Sequence, residues 1–360
     1  MHRRAFIASS ASAALLSACA TPRSLLTAPP ACLPRVKIAP SRVIRTVAGL
    51  RPYRAAGFVV RAEPLGAKRL VHNYGHGGAG ITLSWGSAKL AVDLGLGDHA
   101  GPVAVVGAGV MGLSTARLAQ ERGHAVTIYA AALPPETTSN IAGGQIHPAG
   151  HYRRNSVDDA WLAQYAAAMA FSWRRFQLLV GEDYGVRWLP TYDSGSGPPA
   201  AMLAPYYADL QQLEGAANPF PGRPVRRYHT MYVEPGRYLR QLSEDFLGTG
   251  GRFEIRSFAS PADLAALPEA VVFNCTGLGS RTLFGDEGLE PMRGQLAILL
   301  PQPEVEYAYT FNEGYMFPRP DGVVLGGTYE RGQWEAVTRP EDIARIVAAN
   351  HRLNAGLCAP

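Results

Sequence analysis

Residues 103–112 read VAVVGAGVMG, and ahead of them residues 72–82 read HNYGHGGAGIT. In the later stretch the apolar run 103–106 predicts a short buried strand, and residues 110–122 carry a helical pattern closed by Gly123. Residues 125–129 then read as a second strand. Strand, glycine turn, helix and strand in this order make the first half of a Rossmann unit. Gly107, Gly109 and Gly112 fit G-x-G-x-x-G. The first permits a tight turn, the second lets backbone approach a pyrophosphate, and the third allows a helix to pack closely on a strand. The earlier stretch places glycine-rich backbone at the start of a helix predicted over 81–94. Unpaired amides and the helix dipole favour negative charge there.

Other segments fall into place around these two. Residues 49–54 read GLRPYR, 137–144 TTSNIAGG, 273–281 FNCTGLGSR and 314–318 GYMFP, with LGGT at 325–328 and GQW at 332–334. Together with the two glycine stretches they resemble the D-amino-acid oxidase family of FAD-dependent oxidoreductases. In that family the fingerprint opens the chain and HNYGHGG lies near its end. The order here is rotated, so the chain resembles a circularly permuted member, with the ancestral end and start joined through 94–102. The resemblance implies an α/β fold: a Rossmann-type FAD-binding domain plus an α+β substrate domain with a mostly antiparallel sheet. Both would be discontinuous, the first from 51–150 and 229–283, the second from 42–50, 151–228 and 284–357.

The same resemblance assigns roles to residues. FAD is the expected cofactor, ahead of a nicotinamide. Gly107, Gly109 and Gly112 are expected at the pyrophosphate, with Thr137, Thr138 and Ser139 supplying hydroxyls and amides, and Gly143 and Gly144 passing along the isoalloxazine. Thr276 and Gly277 form a further turn facing the cofactor, and Ile255 takes the place of a backbone contact to adenine. Gly77, Gly80, Ile81 and Thr82 line the flavin from the glycine-rich loop. A carboxylate that binds ribose in the family is replaced by Ala131, so either backbone groups take over or adenosine affinity is weakened. For the substrate, Arg51 is the implied α-carboxylate clamp, since a guanidinium fork suits a planar carboxylate. Tyr315 is its partner, and the Gly78 carbonyl is expected near the amine. Phe311 stands where many animal members carry a mobile tyrosine, and Ala79 replaces an aromatic. Residues 292–295, MRGQ, read as architectural.

The activity implied is oxidative deamination of a D-amino acid by hydride transfer to flavin N5, giving a 2-oxo acid, ammonia and, with oxygen as acceptor, hydrogen peroxide. Two alternatives stay open: a related glycine- or sarcosine-type amine oxidase or a dehydrogenase with a membrane acceptor, and a catalytically silent exported flavin-binding protein. His72 and His76 lack a third ligand cluster, so no metal is expected.

At 360 residues, with 47% hydrophobic and 18% charged residues, the chain has a globular composition and length for two domains. Setting aside Arg3 and Arg4 leaves 32 basic against 29 acidic residues, with no long cationic run. Nucleic acid is therefore not an expected partner. The first residues, MHRRAFIASSASAALLSAC, resemble a twin-arginine export signal ending at a lipoprotein cleavage box, with a lipid anchor at Cys19 and a periplasmic location. An ordinary secretory signal with incidental arginines fits the same residues. Residues 20–41, rich in Pro and Ala, read as a tether. Cys275 reads as a buried, inert thiol. If the chain is permuted and exported, Cys32 and Cys358 sit near its joined ends in an oxidising compartment and are expected to form a disulfide; otherwise they are incidental cysteines in the two tails.

Overall fold

The computed structural model describes residues 32–147 and 151–357. In chain order β1 (Val43–Arg54), β2 (Val59–Leu65), β3 (Lys68–Tyr74) and α1 (Gly80–Leu96) come first, then β4 (Val103–Val106), α2 (Val110–Glu121), β5 (Val126–Ala130) and β6 (Gln145–Ile146). The middle holds α3 (Asp159–Leu178), β7 (Val186–Asp193), β8 (Ala208–Leu213), β9 (Val225–Val233), α4 (Pro235–Gly248), β10 (Arg252–Ile255) and α5 (Pro261–Ala265). Next are β11 (Val271–Asn274), α6 (Gly279–Phe284), β12 (Leu289–Leu299), β13 (Ala308–Phe311), β14 (Gly314–Phe317), β15 (Val323–Gly326), β16 (Glu330–Arg331) and α7 (Pro340–Ala355).

Two sheets organise these elements. The six-stranded sheet runs β10-β5-β4-β11-β3-β2. Its first five strands are parallel, and β2 joins β3 as an antiparallel edge. Along β4, Val103 and Val105 face one apolar core while Ala104 and Val106 face another. A strand covered on both sides reads as an unbroken apolar run because successive side chains point to opposite faces. Fully burying each such Val contributes about 1.5–3 kcal/mol. Helix α1 is enclosed on most sides, and Gly86 lets α3 press against it. A Cβ at Gly86 would lie 1.9 Å from the Ala168 carbonyl oxygen.

The ten-stranded sheet has the path β1-β12-β15-β14-β13-β7-β9-β6, with β8 on β9 and β16 on β12. Every pair in it is antiparallel except β13 with β7. The sequence predicts short strands and a turn around Gly49 and Pro52, but β1 continues through both. It pairs with β12 from Val43↔Leu299 to Arg54↔Leu289. The reason is its position: β1 lies at the sheet edge, where a missing proline N–H interrupts no interior ladder. An expected domain boundary between 50 and 51 thus falls inside one strand, and one between 228 and 229 falls inside β9.

The tether reading needs correction over 33–41. Val36 and Ile38 are buried in the core under α7. The Val36 amide donates to Asn354 Oδ1 at 3.2 Å, the Lys37 amide to Gln302 Oε1 at 2.7 Å, and Arg35 Nε to the Leu357 carbonyl at 2.6 Å. These acceptors lie more than 260 residues further along the chain, so local composition carries no sign of them. Cys32 is disulfide-bonded. Cys358 and Cys19 lie outside the described residues, as do residues 1–19, which the sequence reading takes as an export signal. Cys275 is a buried free thiol, pushed up to about 12 by burial. No helix among the described residues is long and apolar enough to cross a membrane.

Candidate active site

A cavity of about 830 Å³ opens where the C-terminal ends of β3, β4, β5 and β11 face the large sheet. Its first wall is backbone. Gly107 has φ +109° and lies so close to the next turn that a Cβ would sit 2.5 Å from the Cys275 carbonyl oxygen. Gly112 does not line the cavity. Instead a Cβ there would meet the Gly107 carbonyl oxygen at 1.8 Å, so it sets how closely α2 approaches the turn. The N-terminus of α2 points its first amides at the cavity, and Ser139 Oγ accepts from the Val110 amide at 3.0 Å. A Cβ at Gly109 would lie 3.2 Å from that hydroxyl oxygen. Thr137, Thr138, Gly143 and Gly144 share this wall, with the Thr137 hydroxyl donating to Asn140 Oδ1 at 2.8 Å.

The second wall comes from the earlier glycine stretch. Gly77, Gly78, Gly80, Ile81 and Thr82 all line the cavity, at the start of α1. The Thr82 hydroxyl is engaged elsewhere, bridging the backbone of Gln145 and His147 at 3.3–3.4 Å. Only its amide remains for a ligand. His72 and His76 part company. His72 joins a buried chain, its Nδ1 2.9 Å from Asn274 Nδ2 and its Nε2 3.0 Å from Glu63 Oε1. Burial lowers its pKa and the Glu63 contact opposes that. His76 stacks on Phe58 at 5.0 Å and is held neutral, at about 3, by burial and by His151.

The third turn, after β11, is held by Asn274. Its Oδ1 accepts from the Thr276 hydroxyl at 2.8 Å and the Thr276 amide at 3.2 Å, while Gly277 at φ +56° turns the chain. Thr276 and Gly277 line the cavity. Ile255 does not: its side chain is exposed at the end of β10, and Arg256, Ser257 and Phe258 occupy the wall. The shift follows from β10 being an edge strand whose terminal side chain alternates away from the cleft. Ala130, Ala131 and Ala132 form part of the rim. Glu136, unassigned by the sequence pattern, is an exposed residue lining the same cavity.

The opposite side is made of side chains on the large sheet. Arg51 on β1 donates to the Thr328 carbonyl at 3.2 Å and lies 4.7 Å from the Tyr329 ring centroid. Gly294 on β12, read from sequence as merely architectural, gives it room: a Cβ there would be 2.4 Å from the guanidinium. Gly78 backs it from the other side, with a Cβ position 3.4 Å from Arg51 Cδ. Tyr315 on β14 is buried beside Arg51, over Gly326 and Gly327, where any Cβ would strike its ring. Burial pushes its phenol up to about 12, against the pull of the Arg51 guanidinium, so at neutral pH it keeps its proton. Arg51, Tyr315 and Gly78, far apart in sequence, therefore converge. Phe311 faces the core under α7, not the cavity, because a two-residue turn joins β13 to β14 and alternation sends it to the far face. Residues missed from sequence are Glu136, Asp193, Tyr228, Thr310 and Tyr329, all on the cavity wall.

The sequence model of the family described as FAD dependent oxidoreductase matches residues 23–94 and 102–357. The chain belongs to that family. A D-amino-acid oxidase of Streptomyces coelicolor is 32% identical over 265 residues, covering 69% of this chain and 77% of that protein. Human D-aspartate oxidase is 29% identical over 262 residues, covering 68% and 74%. Among solved structures, a glycine oxidase from Geobacillus kaustophilus superposes with a TM-score of 0.51 at 17% identity, covering 71% of this chain and 77% of that one. An iminodiacetate oxidase from Chelativorans gives 0.52 at 15%, covering 71% and 79%. The structural likenesses speak to fold alone.

This FAD-dependent oxidoreductase has a cavity suited to its cofactor. The three glycine turns bring main chain rather than bulky side chains to the cavity wall, and helix N-termini at α1 and α2 favour anionic groups. Gly107, Gly109, Thr137, Thr138, Ser139, Thr276 and Gly277 would hold the pyrophosphate side, and Gly143, Gly144, Gly77, Gly80, Ile81 and the Thr82 amide the ring side. When bound, FAD supplies a two-electron acceptor for hydride.

Proposed function

We propose that the enzyme oxidatively deaminates D-amino acids, and the convergence of Arg51, Tyr315 and Gly78 at one end of the glycine-built cavity carries the reading. Arg51 pairs with the substrate α-carboxylate, and Tyr315 donates to the same group. The Gly78 carbonyl accepts from the amine and orients the α-hydrogen. Together they fix position, and the walls exclude water; catalysis of this kind needs no obligate side-chain base. As the α-hydrogen departs with its electron pair, the amine releases a proton and a C=N bond forms. The imino acid then hydrolyses to a 2-oxo acid and ammonia. Relatives described as D-amino-acid and D-aspartate oxidases support the D configuration. Hydrogen peroxide and 2-oxo acid release from parallel D- and L-amino-acid panels tests the proposal. Release from the D series alone is expected; release from neither, or from the L series, contradicts it.

The proposal extends to chain organisation. A circular permutation explains why the family match falls in two blocks, and why β3, from before the fingerprint, pairs with β11 inside the nucleotide-binding sheet. The new ends meet at Arg35, Leu357 and Asn354, and Cys358 is the proposed partner of Cys32. The export and lipid-anchor reading of residues 1–19 places the enzyme in the periplasm. Mass spectrometry of the periplasmic protein should show a Cys32–Cys358 peptide and a diacylated Cys19; unmodified Cys19 or a free Cys358 would reject the corresponding assignment.

A further inference from the structure

Beyond Tyr315 the cavity continues along one row of the large sheet. Tyr315 on β14 pairs directly with Thr310 on β13, Thr310 with Asp193 on β7, and Asp193 with Arg226 on β9. Directly paired residues on neighbouring strands share a face, and each strand step is about 4.8 Å, so Asp193 lies about 10 Å along the sheet from Tyr315. Tyr315, Thr310 and Asp193 line the cavity, whereas Arg226, next in the row, does not. The α-carboxylate clamp is thus one end of a polar stripe.

The far end of that stripe has unmet hydrogen-bonding capacity. Thr310 Oγ1 and His147 Nε2 are both shielded from solvent without a partner. Buried polar atoms of this kind normally find one. Asp193 Oδ1 accepts from Arg226 Nε at 2.9 Å and from the Gly195 amide at 2.8 Å, and Oδ2 accepts from Arg226 Nη2 at 2.8 Å. A carboxylate offers about four acceptor positions, so Oδ2 keeps one. His147 packs against Tyr207 and Tyr228 at 4.9 and 5.4 Å and is kept neutral, at about 4, by burial against the opposing pull of Asp193. It brings no positive charge to this end. Arg226, the cation present, is turned onto Asp193 and over the Tyr207 ring at 5.2 Å.

We infer that this end of the cavity selects D-amino acids whose side chain ends in an N–H donor, received by Asp193 and Thr310, and rejects acidic side chains. The inference rests on the D-amino-acid reading and names its substrate class. A side-chain carboxylate would face the Asp193 carboxylate with no free cation opposite. An apolar chain would leave Thr310 Oγ1 and His147 Nε2 unsatisfied. An amide or ammonium about four atoms from the α-carbon would donate to the open position on Asp193 Oδ2 and to the Thr310 hydroxyl oxygen, whereas a carboxylate has no N–H to offer Asp193. Human D-aspartate oxidase, a relative by sequence, is named for the opposite preference.

D-glutamine and D-glutamate differ by one group at the position in question, and D-norleucine supplies an apolar comparator. On the FAD-loaded full-length protein, kcat/KM for D-glutamine should exceed that for D-glutamate by about 100-fold and that for D-norleucine by about tenfold. Asp193→Asn should narrow the glutamine-to-glutamate ratio by about tenfold, mainly through KM. Thr310→Val should narrow the glutamine-to-norleucine ratio, and it carries the test where Asp193→Asn disturbs Arg226 and the fold. Equal use of D-glutamate or D-norleucine by the parent enzyme, or ratios untouched in a folded, flavin-loaded variant, overturns the inference. If neither these compounds nor D-alanine bleaches the flavin anaerobically, the D-amino-acid reading itself fails. Bleaching without discrimination sinks the side-chain assignment alone.

Discussion

The two ends of the cavity are made of different material. The nucleotide end is backbone: three glycine turns, two helix N-termini and close approaches such as Gly112 on Gly107. The substrate end is side chains brought together from β1, β14, β13 and β7 by sheet register. A backbone site tolerates no added atoms but is indifferent to most neighbours. A side-chain site tolerates reshaping and depends on each functional group. Substitutions should therefore fail in different ways at the two ends, by lost cofactor at one and lost turnover at the other.

The largest effect is expected from Gly112→Val. Its Cβ position, 1.8 Å from the Gly107 carbonyl oxygen, forces α2 off the turn, and the flavin-to-protein ratio should fall to near zero together with a lowered Tm. Retention of full flavin would break the comparison. Arg51→Ala should do the reverse, keeping the flavin while costing about 2–5 kcal/mol in kcat/KM, the loss expected for a desolvated charge pair. Unchanged turnover would remove Arg51 from the substrate end.

Between these lies a structural ion pair that supports the substrate end without lining it. Buried Arg293 is paired with Glu330, whose other carboxylate oxygen accepts from Gln295 and Thr328 at 2.7 Å. Burial raises the Glu330 carboxyl, yet the bonds from Arg293, Gln295 and Thr328 hold it lower, at about 2. A depressed carboxyl contributes stability that is complete above its unfolded value, near 4.5, and is lost as pH falls towards about 2. Glu330→Gln should cost about 3 kcal/mol in neutral urea unfolding and flatten the acid limb below pH 4.5. A limb of unchanged slope would contradict the assignment. Tyr315→Phe, removing one neutral hydrogen bond, should cost only about 0.5–1.5 kcal/mol in kcat/KM; a larger loss would give Tyr315 more than a positioning role.

The same contrast explains what the sequence made legible. Gly107, Gly109 and Gly112 could be read because a backbone site demands glycine at fixed spacing, and β4, α2 and β5 followed from their apolar patterns. Arg51 and Tyr315 were reachable only through family resemblance, since an arginine before proline and a tyrosine in a strand are ordinary residues. Asp193 and Thr310 were not reachable: their meeting depends on the β7–β13 register across more than 110 intervening residues. Ile255 missed the wall because a backbone role predicts nothing about where its own side chain points. The continuity of β1 through Pro52 was hidden for a related reason, because whether a strand lies at a sheet edge is a property of topology.

Anaerobic titration of the FAD-loaded protein with D- and L-amino acids, followed by flavin absorbance, tests the central claim most directly. Rapid bleaching by D enantiomers, absent with L enantiomers and slowed in Arg51→Ala with the flavin still bound, is the predicted result. Bands unmoved by every D-amino acid, or bleached equally by both enantiomers, would contradict it.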